Sequence, residues 1–178
     1  MSFIHAESIQ KCHEAYLSAI GRAIAVCQHL ENCAHHVMVV FAVTDAATAG
    51  KGDNDLKSIA LGLRDETLGR SVRRLASTPE FANERGRALA KGREARNWLA
   101  HEAATVVDEQ HDAPNEMIER ARVLRNQVME LCSADAILAT ASYEICEREP
   151  APRAYTETYS ERLAMWILDP VKEWLYMG

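Results

Sequence analysis

Arg96, Asn97 and His101 fall within six residues, in the run Arg96-Asn97-Trp98-Leu99-Ala100-His101. Their types suit phosphodiester chemistry. An arginine offers a planar, permanently charged fork of N–H donors that matches a phosphate. A histidine both gives and takes a proton near neutral pH. An asparagine can orient either partner or hold a phosphate oxygen. If the run is helical, residues five apart stand about 140° from one another around the axis. Arg96 and His101 then do not share a face, whereas Asn97 and His101, four apart, do. A working site needs Arg96 to swing round, the helix to begin or bend there, or a second chain to complete it.

The surroundings of this run are basic. The chain as a whole carries a net charge of −6. Between Arg64 and Arg96, however, nine cations face five carboxylates, a local balance of +4 that leaves −10 for the rest. Such a belt can hold a polyanion locally on a protein that is acidic overall. Arg70, Arg73 and Arg74 are its candidates for contacting a nucleic-acid backbone, and Arg93 and Glu102 are supporting candidates beside Arg96 and His101. A solvated helix face is the plain alternative reading of the belt. For the run itself, the plain alternative pairs Arg96 with Glu94, Glu102 or a carboxylate on another helix and buries His101.

Cys27, His29, Glu31, Cys33, His35 and His36 form the densest group of potential metal ligands, but their spacing matches no paired zinc pattern. No metal or cofactor is expected, and the group reads as a polar stripe. Glu31 within it is a candidate to hold Arg96 by a charged hydrogen bond. Cys12, Cys132 and Cys146 read as core residues. The five cysteines contain no CxxC pair. Met1 to Glu14 do not resemble a secretory signal, so reduced thiols in a cytoplasmic protein are expected. The most apolar run, Val37–Val43, falls far short of the roughly 20 residues a bilayer requires, so no membrane association is expected.

The elements that must position these groups are helices. Ala, Leu, Glu and Arg are abundant and Gly is scarce, a bias toward helix. Apolar residues recur at three and four from Ile9 to Leu30 and from Met117 to Ala141, the period of one helix face. Helices are expected at about 2–49, 56–75, 79–108, 114–148 and 155–168. Thr78 is expected to cap the third, with Pro79 in its first turn. Trp166, Ile167, Trp174, Leu175 and Tyr176 are too apolar for a free tail and should pack on the bundle or a second subunit. The expected fold is one all-α domain over 1–178, an antiparallel up-and-down bundle of four to five long helices.

Arg96-Asn97-Trp98-Leu99-Ala100-His101, within long helices, resembles the signature of HEPN domains (higher eukaryotes and prokaryotes nucleotide-binding). Thr67-Leu68-Gly69-Arg70 also resembles sequence upstream of the motif in some members. The resemblance covers about 67–104, and the helical layout matches over most of the chain. It implies a metal-independent endoribonuclease, often a toxin of a toxin–antitoxin or defence system, working as a homodimer with two motifs in one cleft. By position, Arg96 and His101 would be catalytic and Asn97 supporting. RNA would be the substrate, and an antitoxin or a nucleotidyltransferase a protein partner. The rival reading is a non-catalytic HEPN-like module that binds RNA, a nucleotide or a protein.

Overall fold

A computed structural model of the chain describes residues 3–63, 66–103 and 114–175. Two long helices frame it. α1 spans Phe3–Thr48 and α5 spans Pro114–Glu147. At 1.5 Å per residue they are about 69 Å and 51 Å long. Neither has a proline after its first residue, and each keeps an apolar stripe at helical spacing. Tyr16, Ala19, Ala23, Leu30 and Val37 of α1 are buried against Ala121, Leu124, Val128, Leu131 and Leu138 of α5. α1 ends where Gly50 takes a positive φ of 78°, a conformation open to glycine and costly for most residues. The Val37–Val43 run, though rich in β-branched residues, continues α1.

Two cross-links set the direction of the frame. His29 meets Asp135 and His36 meets Ser142, both at a sequence separation of 106. A constant separation means that α1 and α5 run parallel. The chain from Tyr155 into α7, Tyr159–Leu168, runs the other way along α5, since Tyr155 meets Tyr143 and Tyr159, the first residue of α7, meets Asp135. α4, Glu84–His101, packs on α5. There Gly92 lets the two backbones approach: a Cβ placed on it would stand 2.1 Å from the Ala134 Cβ.

All described residues with regular structure are helical, as expected, but four to five long helices are not what they form. The helix expected over 56–75 is two short ones, α2 (Asp53–Leu63) and α3 (Leu68–Ala76). The step from buried Leu63 to half-buried Leu68 is five, which rotates the apolar stripe out of register. The helix expected from 79 to 108 opens instead as a 3₁₀ turn, Pro79–Phe81. Asn83, with a φ of 65°, separates that turn from α4. Thr78 does not cap: its hydroxyl donates back to the Leu75 carbonyl at 2.8 Å. The stretch from 104 to 108 lies outside the described residues. Beyond α5 come α6 (Arg153–Glu157), α7, a 3₁₀ turn (Asp169–Val171) and α8 (Lys172–Leu175).

The C-terminal apolar residues do pack on the bundle in part. Ile167 is fully buried, and Trp174 and Leu175 are half-buried. Trp166 stays about half exposed with the Arg22 guanidinium over its ring, 5.4 Å from the centroid. Tyr176 lies outside the described residues. No described helix is long and apolar enough to cross a membrane.

Candidate functional site

α4 sets the register of the motif. Leu89, Gly92, Ala95 and Leu99 are buried, which pins one face against the bundle. That face leaves Arg96 at its edge and turns Asn97 and His101 to solvent. The Arg96 Nε donates to Glu31 Oε1 of α1 at 2.6 Å, the contact anticipated from the residue types. Its Nη1 donates to Asn97 Oδ1 at 3.3 Å. Arg96 and Glu31 keep only 30% and 29% of their side-chain surface exposed, so the guanidinium is held from two sides.

His101 is the last residue of α4 and is exposed, not buried. Glu102 follows as the exposed C-cap residue, its backbone N–H donating to the Trp98 carbonyl at 2.8 Å. α4 neither begins nor breaks between Arg96 and His101. The 140° between them therefore stands, and no hydrogen bond joins their side chains among the described residues. One chain brings Asn97 and His101 to one face and leaves Arg96 on the next.

Much of the basic belt is internally paired. Arg93 reaches Glu94 at 3.6 Å, Arg74 reaches Glu66 at 3.9 Å and Lys91 reaches Glu130 at 2.8 Å. Arg73 Nε donates to the Gly69 carbonyl of its own helix at 3.0 Å. Arg70 and Arg73 are exposed, with no carboxylate in ion-pair range among the described residues. Arg93 links the two parts of the belt. A Cβ on Gly69 would lie 3.7 Å from its Cδ, so its stem crosses the start of α3. Arg64, also counted in the belt, lies outside the described residues.

The polar stripe of α1 divides between two edges. Glu31 turns toward α4, whereas His29 and His36 turn toward α5. Asp135, fully buried, accepts from His29 Nδ1 at 2.8 Å and from the Tyr159 hydroxyl at 2.9 Å. The Cys33 Sγ lies 3.6 Å from His29 Nε2. Sequence reasoning missed this cluster, because Asp135 and Tyr159 are remote in sequence from His29, Asp135 lies within a mostly apolar run and Tyr159 stands among polar residues. Its only advance signal was an acid in the middle of the α5 stripe. Burial pushes the Tyr159 hydroxyl upward, and so does the Asp135 charge. The hydrogen bond to Asp135, then the one to Cys33, raises His29 to about 10. Cys132 is buried as expected, Cys12 only half so, and Cys27 of the polar stripe is buried too; burial lifts the Cys27 and Cys132 thiols to about 12. Cys146, expected in the core, is exposed, because at that point of α5 its neighbour Ile145 is the residue turned to the core. All five cysteines are free thiols.

The His29 shift has a pH consequence. A histidine raised in the folded state adds stability that is complete below its unfolded pKa of about 6.5. That contribution fades as pH climbs through about 10. The melting temperature should thus decline from pH 6.5 to 10 more steeply in the wild type than in His29→Gln. Parallel declines in the two proteins would refute the assignment.

Among the described residues, no group of three or more His, Cys, Asp or Glu side chains is placed to hold a metal ion. No family model, no curated protein and no solved structure matches the chain.

Proposed function

We propose that this chain is an endoribonuclease of the HEPN kind, cutting RNA at a site that a second copy completes. The observation that carries the proposal is the arrangement on α4. Arg96 is fixed between Glu31 and Asn97, and His101 stands exposed one turn beyond Asn97. A fixed guanidinium pre-orients positive charge where a phosphate gains it in the transition state. An exposed histidine can take the proton of an RNA 2′-hydroxyl or deliver one to the leaving 5′-oxygen. Attack by the 2′-hydroxyl gives a 2′,3′-cyclic phosphate and a 5′-hydroxyl, and needs no metal. Two-fold pairing would set the Arg96 of one chain opposite the His101 of the other. Arg70 and Arg73 would hold the flanking backbone by charge. An antitoxin or a nucleotidyltransferase is the protein partner this reading implies.

The Glu31–Arg96 bond also favours a second reading. A guanidinium already held by a carboxylate serves equally as a tether between α1 and α4. The chain would then be a helical module that binds RNA or a protein without cutting. Incubating the purified protein with RNA and a chelator distinguishes the two. The nuclease reading predicts fragments ending in 2′,3′-cyclic phosphate and an intact all-DNA analogue. Binding without cleavage establishes the module, and cleavage that stops in the chelator rejects the metal-free mechanism.

A further inference from the structure

The parallel frame repeats one arrangement twice. His29 and His36 lie seven apart on α1, and their acceptors Asp135 and Ser142 lie seven apart on α5. Each histidine also faces a thiol. Cys33 Sγ is 3.6 Å from His29 Nε2, and Cys146 Sγ is 4.0 Å from His36 Nε2. The two stations differ in the acceptor. Ser142 offers a neutral hydroxyl at 3.2 Å, whereas Asp135 is a wholly buried carboxylate with Tyr159 on its second oxygen. A carboxylate behind an imidazole favours the imidazolium, which sets a positive charge 3.6 Å from the Cys33 sulfur.

We propose that Cys33 is a hydroperoxide-reactive thiol, with His29 the proton donor to the departing oxygen and Asp135 the residue that positions the imidazole.

The step balances with the peroxide as oxidant. The Cys33 thiolate attacks one peroxide oxygen, an S–O bond forms and the O–O bond breaks. Sulfur is oxidised by two electrons to the sulfenic acid, and the peroxide is reduced. The departing oxygen takes the proton of His29 Nε2 and leaves as water or an alcohol. His29 recovers a proton from solvent, since half of its side-chain surface is exposed.

Three observations select this chemistry. Cys33 is 8% exposed, which shuts out the thiol of another protein. A proton donor beside the sulfur is what the departing oxygen of a peroxide requires. Acyl transfer does not fit, because Cys33 lies in the middle of α1, where the backbone N–H groups are already bonded within the helix. They leave no donors for an oxyanion.

Hydrogen peroxide with dimedone, which traps sulfenic acid, tests the proposal on the full chain, with Cys146 as the internal reference. Mass spectrometry of the peptides should show Cys33 labelled at least about tenfold faster than Cys146 at pH 7. His29→Gln should bring Cys33 to within about twofold of Cys146 and leave the Cys146 rate unchanged. Cys33 labelling no faster than Cys146 in the wild type overturns the proposal. So does a His29→Gln protein with native circular dichroism and the wild-type Cys33 rate. If the variant loses native circular dichroism, the wild-type ratio decides alone.

Discussion

Replacing His101 with alanine is expected to lower RNA cleavage by about 10²–10⁴-fold, the range general acid–base catalysis provides. The fold should not notice. His101 is exposed at the end of α4, and no described residue hydrogen-bonds its ring. A surface change of that kind moves stability by about 0.5 kcal/mol or less. Arg96→Ala is expected to cut activity by about 10²–10³-fold, as the loss of one preorganised donor does. It should also lower stability modestly, by about 1 kcal/mol, because the Glu31 pair is about a third exposed and partly screened. Single-turnover cleavage and thermal melting, measured side by side, separate the two effects. Wild-type rates in both variants would remove the motif from any catalytic role.

Gly92→Val is expected to destabilise the bundle by about 3 kcal/mol. A Cβ at this position would stand 2.1 Å from the Ala134 Cβ and 3.4 Å from the Glu130 carbonyl oxygen. Neither neighbour can yield, since one is a methyl fixed to a helix backbone and the other is that backbone. α4 and α5 must separate, which opens the contact along Leu89, Ala95 and Leu99. For a chain of this size, 3 kcal/mol corresponds to a melting-temperature drop of about 6–12 °C. Gly92→Ala clashes in the same place, but its better helix propensity offsets about 1 kcal/mol. Combining Gly92→Ala with Ala134→Gly returns the missing space and should restore most of the loss. If Gly92→Val melts with the wild type, α4 does not pack this closely.

The contrast between α1 and the 56–75 region shows what the sequence made legible. α1 and α5 could be read almost to their ends, because each keeps one apolar stripe at three and four with no interior glycine at a kink or proline. Glu31 could be matched to Arg96 from charge and helix position alone. The split into α2 and α3 turned on a single spacing of five between Leu63 and Leu68, a local signal weaker than the flanking helix propensity. The Asn83 break before α4 rests on a backbone conformation that residue type only permits. The His29–Asp135–Tyr159 cluster was illegible for a different reason. It depends on three helices meeting, and parallel pairing of α1 with α5 follows from no local pattern. In the motif, the helix fixed the 140° between Arg96 and His101, so the sequence already posed the need for a swung Arg96, a bend in the helix or a partner chain.

That need gives the most direct test. Arg96→Ala and His101→Ala proteins are each prepared, confirmed inactive on RNA, then unfolded together and refolded as a mixture. A site built from the Arg96 of one chain and the His101 of another predicts that the mixture regains cleavage that neither variant has alone. A refolded mixture that contains mixed dimers and stays as inactive as its components, beside an active wild type, would contradict the account.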